Sequence, residues 1–136
     1  MPIPNRSSTA LPRAPTLYGT LVDQLQRPGS FASQLKKMLR VRAEYRINES
    51  EQVDVPVVNA RGLVVMVHRL PAAKGVQVTV LNFGRTAIRE TVVIKAAAAG
   101  GDVKDLVEDK TLPRLEAGGR LPLALGPHQE QVLLIK

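Results

Sequence analysis

The segment GVQVTVLNF, residues 75–83, alternates apolar and polar side chains and ends at Gly84. Val76, Val78 and Val80 fall on one side of an extended chain, and Gln77 and Thr79 on the other. That period of two marks a strand with one face on a core. Similar stretches lie on either side. GLVVMVHRL at 62–70 is a denser apolar run, and AIRETVVIK at 87–95 reads as another strand. Val103, Leu106 and Val107 mark a short strand, and Leu112 to Leu115 a further one. Leu121, Leu123 and Leu125 alternate, and QVLLIK closes the chain at 131–136. Upstream, Val53, Val55 and Val57 alternate with Gln52, Asp54 and Pro56; the proline predicts an edge strand or a strand end. Small-residue punctuation separates these runs: AAAAGG at 96–101, Gly118-Gly119 and Gly126-Pro127. Seven or so short strands at intervals of about 10 residues, with no helix between them, predict a mainly β fold, an antiparallel β-sandwich or a barrel. Its core should hold Val78, Val80, Leu123, Leu125, Leu133 and Ile135, with Phe83 packed at the end of its strand.

Before Asn48 the apolar period is that of a helix. Residues 1–16 carry Pro2, Pro4, Pro12 and Pro15 and read as an extended arm. Leu17, Leu21, Val22 and Leu25 suit one or two helical turns, stopped by Pro28-Gly29. Ser30 is placed to cap a second helix over about 30–46, although Ser33 stands where a capping box has Glu or Gln. Phe31, Leu35, Met38, Leu39 and Tyr45 share one stripe of that helix, with Lys36, Lys37, Arg40 and Glu44 opposite. Arg42 interrupts the stripe, either as a snorkelling stem or paired with a carboxylate across an interface. The organisation expected is an arm over 1–16, a helical segment over 17–47 and a β-domain over 48–136. A helix of about 17 residues is marginal in water alone, so its stripe needs a cover. Residues 17–25, the β-domain and a symmetric second copy are the covers this chain offers. Phe31, Leu35, Met38, Leu39 and Arg42 are therefore the candidate interface residues.

Composition narrows the functions. The chain has 136 residues, one domain's worth, with 44% apolar and 23% charged residues. No apolar run approaches the roughly 20 residues that cross a bilayer, and no secretory signal pattern is present. The absence of Cys excludes disulfides and thiolate chemistry and fits a cytoplasmic setting. The net charge is +7, and residues 1–47 hold most of it: 8 Lys/Arg against 2 Asp/Glu, compared with 11 against 10 in residues 48–136. No nucleic-acid-binding signature accompanies the basic third, which disfavours a nucleic-acid reader. Tyr18, Phe31, Tyr45 and Phe83 are the only aromatic residues. With two of the four assigned to a core, a dedicated sugar-binding platform is disfavoured too.

No catalytic constellation emerges. His68 lies within a strand and His128 in a Gly-Pro turn, and neither has a partner at metal-ligand spacing. The serines, Ser7, Ser8, Ser30, Ser33 and Ser50, lie outside any strand-to-helix elbow. Glu49, Glu51 and Asp54 form one acidic group, and Asp102, Asp105, Glu108 and Asp109 a second, interleaved with Lys104 and Lys110. Carboxylate pairs serve glycoside hydrolysis or hard cations, but these follow no calcium-loop spacing and read as turn charges. GGDV and AGGR lack the setting of a phosphate loop. The reading is a non-catalytic module with no cofactor and no metal.

Four pieces of the chain, in order, resemble the C-terminal end of alpha-amylase-superfamily enzymes, and within them the trehalose synthases (maltose alpha-glucosyltransferases). SFASQLKKMLRVRAEYRI, residues 30–47, is similar to the last helix of their catalytic (β/α)8 barrel. VDVPVVNARGLVVMVHRLP resembles the first strands of the next domain, and GVQVTVLNFG its Val-x-Val-x-x-Asn-Phe strand. KDLVEDK and RLPLALGPHQEQVLLI resemble its closing strand and final hairpin. His128 stands where such domains often have Tyr. The resemblance implies a Greek-key-like C-terminal β-domain that packs on and stabilises a barrel, in cis or in trans, whose reaction would be maltose–trehalose isomerisation. The catalytic carboxylates of that family belong to the barrel, so none is carried over. A stand-alone sugar-binding module and, behind it, a basic nucleic-acid-binding module are the competing readings.

Overall fold

The strand expected around Val78 forms the spine of a six-stranded antiparallel sheet in a computed structural model, which describes residues 18–136. The proline-rich arm expected over residues 1–16 lies outside the described residues. Among these there are eight strands: β1 Glu51–Asp54, β2 Leu63–Arg69, β3 Val76–Asn82, β4 Ile88–Val93, β5 Val103–Asp105, β6 Lys110–Leu112, β7 Arg120–Leu125 and β8 Glu130–Ile135. The six-stranded sheet runs β1-β2-β3-β8-β5-β6, and β4 pairs with β7 in a second sheet. After β3 the chain crosses to β4, returns for β5 and β6, crosses to β7 and returns to β8. The mainly-β antiparallel sandwich read from the sequence is the fold observed.

Register places the inward side chains in rows. Val65 faces Val80, Val67 faces Val78, and Val78 faces Leu133. Across the sandwich, Val92 faces Leu121, and Ile88 faces Leu125. All belong to one buried cluster that joins both sheets. The six expected core residues are each at most 4% exposed. Each such side chain contributes roughly 1.5–3 kcal/mol by leaving water. Leu106, Val107 and Leu115, expected in strands, lie in the turns beside β5 and β6. β1 is an edge strand with a bulge between Gln52 and Asp54, and Pro56 follows it. Glu90 on β4 secures the next loop: its carboxylate accepts the N–H groups of Asn59 (2.6 Å) and Ala60 (2.9 Å).

Phe83 departs from expectation. It is 64% exposed, not packed into the core. Parity decides this: Val76, Val78, Val80 and Asn82 point inward along β3, so the next residue points out. Asn82 is 2% exposed and occupies the place the hydrophobic argument gave to the ring.

The described helices are α1, Leu21–Gln26, and α2, Phe31–Glu44, followed by a 3-10 turn over Ile47–Glu49. By compactness the chain divides into two units, meeting between Leu39 and Arg40.

Candidate functional site

The unit that ends at Leu39 is built on polar contacts. Thr20 caps α1, its hydroxyl accepting the Asp23 N–H. Gln24 is 8% exposed, and its side chain donates to the Gly19 carbonyl and accepts from the Ala32 N–H. Ser30 caps α2 as expected, accepting the Ser33 N–H. Both Ser30 and Ser33 hydroxyls donate to the Gln24 carbonyl. Ser33 thus bonds back to α1 from the position where a capping box has Glu.

The apolar side chains of this unit face water. Phe31 is 66% exposed, Met38 52%, Leu39 55% and Leu35 43%. Residues 17–25 were expected to cover part of this stripe. Tyr18 does stack on Phe31, with ring centroids 6.1 Å apart, but Leu21, Val22 and Leu25 are themselves exposed. These exposed side chains follow one another along the unit and are not scattered singly over its surface.

Past Arg40 the same helix behaves differently. Val41, Tyr45 and Ile47 pack with Leu70, Leu106, Val132 and Leu134 on the outer side of the six-stranded sheet. Lys74, in the turn after β2, donates to the Glu44 carbonyl at 2.6 Å, satisfying a carbonyl at the C-terminus of α2. Tyr45 therefore belongs to a buried cluster, while the earlier members of its stripe are exposed. Arg42 is exposed, and among the described residues no carboxylate pairs with it. Arg46 and Glu49 form an exposed ion pair, whose hydrogen bonds hold the Glu49 carboxyl below its usual range and raise Arg46. Lys104 is raised likewise by its hydrogen bond to Asp109.

A second surface lies at the end of the sandwich where β3 runs into β4. Asn82 ties the loop after β3 to the loop after β7. Its side-chain amide donates to the Thr86 and Gly126 carbonyls at 2.9 and 2.8 Å, and its oxygen accepts the Gly84 N–H at 2.9 Å. Phe83 N–H donates to the Gly62 carbonyl, and His128 N–H to the Gly84 carbonyl. The Gln129 side chain accepts the Gly126 N–H at 2.7 Å. Gly62 has φ of +80°, and a Cβ there would meet the Gly84 nitrogen at 2.9 Å, so only glycine allows this approach. Phe83 stands exposed on this frame, beside the exposed Arg61, Arg85 and His128.

The remaining polar residues do not converge. Asp105 is buried, and one of its oxygens accepts the Val107 and Glu108 N–H groups, closing the turn after β5. A cleft of about 280 Å³ passes this turn, lined by Asp105, Glu108, Lys110 and Gln131. Lys104 and Arg114 pair with Asp109 and Asp102. His68 lies on the outer side of β2, facing Gln52 and Gln77. Among the described residues no group of three His, Asp or Glu side chains is placed to hold a metal ion. Nor is any described helix long and apolar enough to cross a membrane.

No protein-family model matches the chain, and no curated protein does. Solved structures do. An Anoxybacillus alpha-amylase superposes with a TM-score of 0.62 at 11% identity, over 76% of this chain and 22% of that one. The alpha-amylase of Geobacillus thermoleovorans gives 0.56 at 13% identity, over 75% and 22%. A putative alpha-N-acetylgalactosaminidase of Bacillus halodurans gives 0.57 at 14% identity, over 74% and 24%. The chain spans less than a quarter of each and shares the fold of the part it matches.

Proposed function

We propose that the chain is the non-catalytic β-domain of an amylase-type glycosidase, which packs on and stabilises a catalytic (β/α)8 domain supplied in cis or in trans. Two observations support this reading: the apolar side chains left open on residues 18–39, and a sandwich whose fold matches about a fifth of much larger glycosidase chains. Phe31, Leu35, Met38 and Leu39 are the contacts of that interface, and Arg42, exposed within the stripe, suits a carboxylate on the partner. Where no catalytic domain is present, two copies would cover the same face by a twofold contact. The ordered succession of the four family-like stretches favours a trehalose-synthase-like parent, with maltose–trehalose isomerisation as the reaction.

The test is complementation. A catalytic domain of a maltose–trehalose isomerising enzyme, made without its own β-domain, is mixed with this chain. Binding, and slower thermal inactivation of the catalytic domain, are expected, with both lost in Leu35→Lys/Leu39→Lys. A mixture that neither associates nor changes inactivation sinks the reading. The chain alone should leave maltose unchanged; turnover abolished by a substitution in this chain would overturn its non-catalytic role.

A further inference from the structure

The smaller sheet has two strands, so β4 and β7 each have one side without a neighbour. Register decides which backbone groups face that side. The Ile94 N–H donates to the Gly119 carbonyl, and the two strands continue in step from Val93 opposite Arg120 to Ile88 opposite Leu125. Antiparallel pairs alternate between hydrogen-bonded and non-bonded, so Val92, Glu90 and Ile88 bond to β7 while Val93, Thr91 and Arg89 do not. The Glu116 N–H donates to the Arg120 carbonyl, which fits a non-bonded residue turning its groups away from the ladder. Val93, Thr91 and Arg89 therefore aim their N–H and C=O groups along the free side of β4. All three residues are exposed, and among the described residues nothing pairs with those groups. The loop at Asn59 and Ala60 bonds to the Glu90 carboxylate and not to the β4 backbone.

The other outer strands are guarded against pairing. β1 has a bulge and Pro56 after it, and β6 has 3 residues. β7 has Pro122 where an outward N–H would stand, and Glu116 bridges to Arg120 beside it. β4 has 6 residues, an unbroken register and no proline. Its charges select the occupant. Arg89, with Arg85 before the strand and Lys95 after it, is exposed, and among the described residues no carboxylate pairs with these three. Residues 84–87 and 94–97 hold no Asp or Glu, and Glu90 shares the inward side of β4 with Ile88 and Val92. A second copy paired through the same strand would set both groups of cations along one ladder, which like charges oppose. An acidic strand meets them with the opposite charge.

We propose that the free side of β4 binds an extended acidic segment of a partner protein as a third strand of the smaller sheet, centred on Thr91, with carboxylates beside Arg89 and Lys95. Main-chain hydrogen bonds at Arg89, Thr91 and Val93 supply the affinity, and the cations select the sequence. These residues are separate from the helical stripe assigned to a catalytic domain, so the two contacts stand or fall independently.

The test uses the full chain and a blocked octapeptide of alternating valine and glutamate, followed by amide hydrogen exchange. In the free chain Arg89, Thr91 and Val93 should exchange quickly, and Glu90 and Val92 slowly. Saturating peptide is expected to slow exchange at the first three by about tenfold or more and to leave the other two unchanged. Arg89→Glu/Lys95→Glu should weaken binding by about tenfold or more, added salt should weaken it too, and the lysine counterpart of the peptide should not bind. Both replaced side chains are exposed, so this variant should melt as the wild type does. Thr91→Pro should also fold, as Pro122 does in the strand opposite, and should lose the peptide. Slow exchange at Thr91 in the free chain would mean that the chain itself fills the edge, and would overturn the proposal. So would protection that grows with protein concentration, the mark of a second copy. Absence of saturation, saturation without protection at Thr91, or affinity unchanged in Arg89→Glu/Lys95→Glu would each overturn it as well.

Discussion

Residues 18–39 and residues 40–136 solve opposite problems. The second unit puts Val67, Val78, Val80 and Leu133 at 1% exposure or less and, apart from the buried Asp105, keeps its charged groups toward the surface. The first buries Gln24 against two serine hydroxyls and leaves Phe31, Leu35, Met38 and Leu39 in water. A fold that hides apolar surface can be stable unaided, because that burial is the main term favouring it. A segment held by hydrogen bonds gains little net energy from each, since water would have made the same bonds. The contrast separates a unit that carries its own apolar core from one held mainly by polar contacts.

The comparison is broken most severely at the core. Leu133→Ala should destabilise the sandwich by about 2–5 kcal/mol in denaturant unfolding, because Leu133 lies on the central strand at 1% exposure. A loss under ~1 kcal/mol would mean that the sheets do not share one core. Next comes the buried polar knot. Asn82→Ala leaves the Thr86 and Gly126 carbonyls and the Gly84 N–H without their partner, and should cost about 3 kcal/mol. If hydrogen exchange at Gly84 were no faster in that variant, Asn82 would not be holding the loops. Phe83→Ala should cost under ~1 kcal/mol, against the roughly 3–5 a buried Phe would lose, and calorimetric melting separates the two cases.

The other unit should respond in reverse. Leu35→Lys/Leu39→Lys should shift the stability of the sandwich by no more than about 0.5 kcal/mol, while abolishing association with a catalytic domain or a second copy. Sedimentation of the wild type as a monomer at every concentration would remove the twofold contact and leave the catalytic domain as the cover. The smallest effect belongs to Glu49. Its carboxyl is lowered in the folded state by Arg46, so whatever stability it adds is present above the unfolded carboxyl pKa of about 4.3 and is lost as pH falls. Both partners are exposed, so Glu49→Gln should move the melting temperature at pH 7 by about 1 °C or less, and the difference should shrink as the carboxyl is protonated in acid.

Much of this architecture was legible in local pattern. Alternation at 76–82 and 121–125 gave strands and their inward residues, and Ser30 marked the start of α2. Phe83 was misplaced because residue type was weighed above parity, although the same alternation that buries Val78 and Val80 turns Phe83 outward. The knots were not legible. Asn82 meets Gly126 from 44 residues away, and Glu90 meets Ala60 from 30 away, so no spacing rule announces either. Gln24 carried no signal because a glutamine in a short helix ordinarily faces solvent. The candidate interface was readable as an apolar stripe, but not the point at which it changes from open at Leu39 to packed at Val41.

The position of β8 bears on how the molecule is made. It is the last of the eight strands among the described residues, yet it lies in the interior of the six-stranded sheet, between β3 and β5. During synthesis β1, β2 and β3 can pair as they emerge, and so can β5 and β6, but the two groups have no ladder in common until residues 130–135 arrive. The nascent protein must then hold an unpaired edge on β3 and another on β5 while about fifty residues are added after β3. A ribosome stalled before Glu130 would therefore carry two open half-sheets, the form most exposed to chaperones and to aggregation.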